Sequence, residues 1–152
     1  MTLKASTGLR NHMLAVGSAK AALDGGFIHI YQCDPGNEPA TADAAINSTL
    51  HKLLVTIYSD GTSAGLNLAA TAADGFIDKA SSQTWSGTVI DSGTARFFRQ
   101  VGPSDTGALS TTLPRLQGAV ARAGAELNIS SVDLVAAAPQ AVNFYTLQIP
   151  SF

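Results

Sequence analysis

GFIHIYQCDPGNEPATADAAI, residues 26–46, carries the clearest structural signal in the chain. Bulky residues alternate through 27–33, and both faces of this run are largely apolar, which predicts an interior strand of a sheet or one that supports a helix. The DPGN turn at 34–37 ends the strand, because proline has no N–H for a β-ladder and glycine accepts turn backbone angles. A short helical turn is predicted near 42–46, with Thr41 as its cap.

The residues before this strand predict one helix over 7–23. Ser6 or Thr7 can cap its first turn, and Asp24-Gly25-Gly26 can end it. The apolar residues that fall on one face at helical spacing are Leu9, Met13, Val16 and Leu23. This narrow stripe suits a helix that lies on a sheet or on a neighbouring subunit.

After residue 46 the chain reads as a series of short strands separated by turns. They are predicted at 50–58, 65–72, 75–79, 85–91, 94–101, 115–122, 126–135 and 142–149. In the strand at 50–58, Leu53, Val55 and Ile57 are predicted to share a face. The sequence Ala73-Asp74-Gly75 predicts a hairpin turn. Trp85 alternates with its neighbours like a core residue. We therefore expect a mainly β protein, an antiparallel β-sandwich or jelly-roll-like domain with one N-terminal α-helix. Residues 1–152 form a single domain in this prediction, with an N-terminal arm and helix at 1–24 and strands at 25–152.

The composition is poor in charge. Charged residues make up 13% of the 152 residues, against about 25% in a typical globular domain. Such a surface suits packing in an assembly, although a plain β domain with an uncharged polar coat would share it. The net charge is −2 and the nine lysines and arginines are scattered, so a nucleic-acid partner is not expected.

The lengths of the apolar runs and the number of cysteines indicate the cellular compartment in which the protein is made. No apolar run approaches the roughly 20 residues that span a bilayer, so no membrane partner is expected. The N-terminal sequence lacks a secretory apolar region, and the single cysteine cannot form an internal disulfide. These features predict synthesis in a reducing cytoplasm.

No pattern of reactive residues predicts catalysis. His12, His29 and His51 belong to no HxH or HExxH spacing, so each is expected to be a satisfied or surface histidine. Cys33 has no CxxC partner and is expected to be a small buried hydrophobic residue. GxSxG, GxxxxGK[ST] and GxGxxG are absent from the sequence. The acidic residues of 34–43 do not alternate like a calcium loop. We therefore predict a protein that is not an enzyme, with no catalytic residue, no cofactor and no metal.

The segment Arg96-Phe97-Phe98-Arg99 is the most distinctive local feature outside the first strand. Adjacent phenylalanines on a strand face opposite sides, so one of them fills the core and Phe98 needs a second covering layer. A neighbouring subunit or another layer of the same chain could supply it, and the sequence leaves both open.

Four segments together resemble a pattern found in small structural proteins of tailed bacteriophages. They are GLRNHML (8–14), GGFIHIY (25–31), PATADAA (39–45) and GTARFFR (93–99), followed by a final β-hairpin. Two departures occur: Cys33-Asp34 stands where the pattern has a small residue and glycine, and Phe97-Phe98-Arg99 stands for Trp-Phe-Arg.

The resemblance implies a non-enzymatic virion protein, made in the bacterial host cytoplasm and located on the capsid surface. Its expected role is capsid decoration (cement), as a homo-oligomer bound to the major capsid protein lattice. A collar, tail or vertex component of the same virion is the first alternative. A glycan-binding or hydrolytic β-sandwich for host attachment is the second, and it predicts a concave patch with Trp85 or a tyrosine beside two acids.

Two regions are predicted to contact virion partners, the N-terminal arm with its helix (2–14) and the strand at 96–99. The predicted contact residues are Thr2, Leu3, Leu9, Arg10, Met13, Arg96, Phe98 and Arg99.

Overall fold

The chain folds into short, mostly antiparallel strands and two short helices. The structure, a computed structural model, describes residues 2–148. The elements are β1 (Lys4–Ala5), α1 (Thr7–Ala15), α2 (Ala19–Leu23), β2 (Phe27–Gln32), β3 (Lys52–Ser59), β4 (Phe76–Asp78), β5 (Trp85–Thr88), β6 (Gly93–Thr94), β7 (Phe97–Val101), β8 (Arg115–Ala121), β9 (Leu127–Asn128), β10 (Asp133–Leu134), β11 (Pro139–Val142) and β12 (Thr146–Gln148). The predicted class, mainly β with antiparallel pairing, is confirmed, and the prediction of one helix is corrected to two.

The predicted helix over 7–23 breaks between α1 and α2. Ser6 caps α1 by accepting a hydrogen bond from the Leu9 N–H, and Ser18 caps α2 by accepting one from the Ala21 N–H. Gly17 between them is a poor helix former, and a serine that caps a second helix must itself leave the first. Val16 is consequently 76% exposed and does not share one buried face with Leu9 and Leu23.

The main sheet has the strand order β1-β8-β7-β2-β3-β5-β11, and β9 pairs with β8 in parallel. β2 lies between β7 and β3, which confirms the predicted interior strand. It stops at Gln32, and the turn predicted at 34–37 forms, with the Asn37 N–H donating to the Asp34 carbonyl and Gly36 at φ +87°. The sequence signal for the end of β2 therefore holds.

A β-bulge at Leu54 changes the predicted facing of β3. Ile30 pairs with Val55, but its neighbour Tyr31 pairs with Leu53, so Leu54 is the extra residue. Val55 and Ile57 enter the main core, whereas Leu53 packs on the opposite side of the sheet. The prediction that these three residues share a face is therefore wrong for Leu53.

The main core lies on one face of the sheet. Ile28, Ile30 and Phe98 meet a second, sandwich-like layer, which residues from 66–68, 127–134 and 142–145 build over them. Trp85 is fully buried there, as its alternation predicted. A smaller cluster of Tyr31, Cys33 and Phe97 lies on the other face.

Several predicted strands are shorter or divided. The predicted strand at 126–135 is two short strands, β9 and β10, and the one at 142–149 overlaps the separate β11 and β12; residue 149 lies outside the described residues. The hairpin predicted at 73–75 forms, because Asp74 and Gly75 both adopt positive φ and Ala73 exchanges two backbone hydrogen bonds with Phe76. The strand predicted at 65–72 is reduced to isolated bridges such as Leu68 with Lys79.

Candidate functional site

A row of polar side chains crosses the face of the main sheet opposite the main core. Neighbouring strands contribute register partners to it in the order Thr56, His29, Arg99, Gln117 and Lys4. Cross-strand partners project to the same side of a sheet, so these five side chains form one continuous line. The row therefore places a histidine and an arginine among the apolar side chains of the smaller cluster.

Two long connections cover this face. The β2–β3 connection (33–51) is held by side chains of the row: the Arg99 Nη1 donates to the Ala44 carbonyl at 2.8 Å and the Gln117 Nε2 to the Pro39 carbonyl at 2.7 Å. Lys4 Nζ reaches the Ala40 carbonyl at 2.9 Å. The helical turn predicted near 42–46 is replaced by a non-helical turn, in which the Ala44 N–H donates to the Thr41 carbonyl. Long-range hydrogen bonds thus determine the path of this connection.

The second cover, the β7–β8 connection (102–114), is held by a buried ion pair. Arg115 binds both carboxylate oxygens of Asp105, with Nε to Oδ2 at 2.5 Å and Nη2 to Oδ1 at 2.7 Å. Burial acts to raise the pKa of Asp105, but hydrogen bonds from Arg115 and the Gly107 N–H, with the charges of Arg115 and Arg99, hold it below its ordinary value. Asp105 is therefore ionised and matched by Arg115.

Arg99 is a buried cation whose hydrogen-bond partners are neutral. Its guanidinium donates to Gln117 Oε1, at 3.2 Å from Nε and 2.6 Å from Nη2, and to the carbonyls of Ala44 and Thr41. Burial first, and then repulsion by Arg115, lowers the pKa of Arg99 to about 10. Arg99 therefore remains charged at neutral pH, and within residues 2–148 no carboxylate binds it directly.

A cavity of about 380 Å³ opens between the sheet and these two connections. Its apolar wall consists of Ile46, Leu53 and Val101. Its polar lining consists of His29, Tyr31, Ser48, Arg99, Asp105, Thr106 and Gly107. We call it the β2–β7 cavity. A hollow that combines an apolar wall with convergent polar groups can accept a small molecule.

Tyr31 contributes a hydroxyl to the lining of the cavity. The residue is 7% exposed, and its ring stacks on Phe97 with centroids 4.9 Å apart. Among the residues that the structure describes, none bonds to its hydroxyl. Burial raises the pKa of Tyr31 to about 12, despite the opposing charge of Arg99, so the hydroxyl keeps its proton and can donate.

His29 lies beside Tyr31 in the row. Its Nδ1 is 2.9 Å from Thr56 Oγ1. Burial, assisted by Arg99 and opposed by Asp105, lowers the pKa of His29, so the ring is neutral at neutral pH. If the Thr56 hydroxyl donates to Nδ1, the proton of His29 resides on Nε2, where it is available to a bound molecule.

His51 and Cys33 are structural. His51 bonds through both ring nitrogens, to the Asn47 N–H and the Asn37 carbonyl, and Cys33 is buried as predicted. Burial raises the pKa of Cys33 to about 11. His12 departs from its prediction, since its Nε2 is buried with no hydrogen-bond partner among the described residues.

The structure removes three residues from the predicted partner surface. Leu9, Phe98 and Arg99 are fully buried within this chain. Phe98 lies in the main core with Tyr145 edge-on to it, so the covering layer is part of the same chain. Leu9 packs against Leu23 and Leu116.

The remaining predicted contact residues are accessible. Thr2, Leu3, Arg10 and Met13 are exposed and Arg96 is half-buried. Leu3 and Met13 border one apolar groove, and Met13 continues along the chain into Leu14 and Val16, which are 86% and 76% exposed. We call Leu3, Met13, Leu14 and Val16 the α1 patch.

The predicted N-terminal arm is part of the main sheet. Lys4 and Ala5 form β1, which pairs with β8 at the end of the strand order. Ser6 is fully buried; it donates to the Leu113 carbonyl and accepts from the N–H groups of Leu9 and Arg115. The arm is therefore an edge strand rather than a free segment.

The described residues offer neither a metal-binding cluster nor a helix suited to a bilayer. No group of three or more His, Cys, Asp and Glu side chains in residues 2–148 is placed to hold a metal ion. No helix in that part of the chain has the length and apolar character to cross a membrane.

In comparisons with known proteins, no family model, no curated protein and no solved structure matches the chain.

Proposed function

We propose that the protein is a non-enzymatic structural subunit of a tailed-bacteriophage virion that decorates the capsid by binding the major capsid protein lattice. The observation that carries the proposal is the α1 patch. Four large apolar side chains lie exposed around the helix that carries the phage-like GLRNHML segment. Adjoining exposed apolar side chains commonly mark a protein contact surface.

The residues of the phage-like segments act as scaffold in this fold. A Cβ at Gly8 would lie 2.4 Å from the backbone of Thr112, and one at Gly26 would lie 2.0 Å from the Val101 carbonyl oxygen. Gly25 adopts φ +80°, which favours glycine. Because these positions serve close packing and a tight turn, the glycines of these segments have structural roles, which suits a building block.

Assembly on a lattice would compensate for the low charge of the surface. Only 13% of the residues are charged, and a native subunit that binds neighbours gains stability by mass action. Repetition of the contact in a homo-oligomer strengthens modest interfaces through effective concentration. In this proposal the protein is made in the host cytoplasm and ends on the capsid surface.

Binding of purified variants to undecorated capsids tests the role of the α1 patch. Val16→Ser should weaken occupancy about tenfold, because it removes an apolar contact equivalent to one buried valine. Val135→Ser is the matched control, since Val135 is 64% exposed after β10 and lies outside the patch. Equal binding by the two variants would contradict the role of the patch.

Copy number per particle tests the head location. Decoration predicts copies on the order of hundreds per virion, because symmetric capsid sites repeat that often. About a dozen copies or fewer would contradict decoration and indicate a collar, tail or vertex component.

A further inference from the structure

We propose that the β2–β7 cavity binds a small organic carboxylate with a short apolar body. The carboxylate would accept hydrogen bonds from the Tyr31 hydroxyl and His29 Nε2, in the field of Arg99. The apolar body would lie against Ile46, Leu53 and Val101, which line the same cavity. This inference is independent of the virion role.

The first argument is the unmet hydrogen-bonding capacity of Tyr31. Tyr31 is 7% exposed as a residue, and its hydroxyl lies on the cavity lining rather than among the buried atoms that lack a partner. Within residues 2–148 none bonds to it, although the ring is fixed by its stack on Phe97. Its position on the cavity lining leaves the hydroxyl available to a molecule that enters.

The second argument is the charge balance around the cavity. Asp105 and Arg115 neutralise each other in a bidentate pair, and Asp43 accepts from the N–H and hydroxyl of Thr7. Arg99 bonds only to neutral oxygens among the described residues. An anion in the cavity would therefore stabilise the Arg99 charge, whereas a cation would meet it unfavourably.

The third argument is the chemistry of the lining, which excludes some anions. A cavity of about 380 Å³ exceeds the space that an inorganic anion needs. If phosphate or sulfate bound here, the three aliphatic side chains of the wall would remain in contact with water. A ring or short alkyl group on the ligand would cover them. The lining therefore favours an organic carboxylate over an inorganic oxyanion.

Benzoate is a suitable probe, and benzamide is its neutral counterpart with the same ring. In an NMR titration, benzoate should shift the ring signals of Tyr31 and His29 in a saturable way. For a ligand of about nine heavy atoms we expect a Kd of about 1 mM. Benzamide should bind at least about tenfold more weakly, because it lacks the charge that Arg99 attracts.

Tyr31→Phe removes the hydroxyl and keeps the stacked ring. We expect benzoate affinity to fall about tenfold, since a hydrogen bond to a charged group is lost. Tyr58→Phe is the matched control, because Tyr58 lies on β3 outside the cavity lining and packs edge-on against Phe27. An unchanged far-ultraviolet spectrum and unfolding midpoint establish that each variant is folded.

Three results would overturn the proposal. They are the absence of saturable shifts at Tyr31 and His29, equal affinity for benzoate and benzamide, and equal loss of affinity in the Tyr31 and Tyr58 variants. Inorganic phosphate belongs in the same series, and tighter binding of phosphate than of benzoate would contradict the assignment to an organic carboxylate.

Discussion

Arg99 and Arg115 lie on the same face of the main sheet, but their guanidinium groups have different kinds of hydrogen-bond partner. Arg115 is held by the carboxylate of Asp105, whereas Arg99 is held by an amide oxygen and backbone carbonyls. Removing one member of a buried ion pair is costly, because the remaining charge stays in a medium that solvates it poorly. Substitution of the Arg115 partner should therefore have a measurable effect on the free energy of unfolding.

Asp105→Asn should destabilise the protein by about 3 kcal/mol, because it leaves the buried Arg115 without its counter-charge. Asp91→Asn provides the control, since Asp91 forms an ion pair with Lys52 in which both side chains are about half exposed. Removal of such a surface pair costs less than about 1 kcal/mol. Urea unfolding of both variants measures the difference, and similar losses would contradict the importance of the buried pair.

The same substitution should alter the acid limb of stability. The pKa of Asp105 is lowered in the folded state. Its contribution is therefore present above the ordinary carboxyl pKa of about 4 and lost as pH falls through the lowered value. Asp105→Asn should flatten the dependence of the unfolding free energy on pH in that acid range.

At the scale of elements, the sheet, α1 and the β7–β8 connection meet at Ser6. Its hydroxyl caps α1, accepts from the Arg115 N–H of β8 and donates to the Leu113 carbonyl. The sequence predicted a cap at Ser6 or Thr7, because a hydroxyl residue before a helical pattern is a local signal. It could not predict the contacts with residues 113 and 115, since these depend on a strand more than a hundred positions away.

Ser6→Ala should cost about 2–3 kcal/mol, because one buried oxygen serves two N–H donors and both would lose their partner. Ser18→Ala is the matched control, since the Ser18 side chain caps α2 at an exposed position. Loss of that cap should cost about 0.5–1 kcal/mol. Chemical denaturation compares the two, and equal losses would show that the junction at Ser6 has no more effect than an ordinary cap.

Across the whole molecule, local patterns predicted the fold class and the interior strand, and long-range contacts account for most of the errors. The alternation through 27–33 and the turn at 34–37 are short-range features, and both hold. The Leu54 bulge, the burial of Phe98 and the path of the β2–β3 connection depend on distant residues. The β2–β7 cavity was missed because two strands, the start of a third and two connections build it. One feature of the sequence indicated the cavity: Arg99 shares a strand face with the apolar residues Phe97 and Val101.

Burial of neutral ionisable groups should limit stability in alkali. Burial raises the pKa of Tyr31 to about 12 and of Cys33 to about 11, and raises that of Tyr145 further. Their stabilising contribution is complete at pH values below the ordinary pKa values of these groups, and it is lost as pH rises toward the raised values. The unfolding free energy should therefore fall above about pH 10, and Tyr31→Phe should reduce the slope. A denaturation series across alkaline pH checks this, and a flat profile would contradict it.

The pairing of β1 with β8 also sets an order of events during biosynthesis. Lys4 leaves the ribosome early, but its register partner Gln117 is made much later. Until β8 emerges, β7 presents an open edge with unsatisfied backbone groups, which is a known hazard for aggregation. Completion of the sheet must therefore wait until most of the polypeptide has been translated, and nascent chains interrupted before residue 115 should need protection by chaperones.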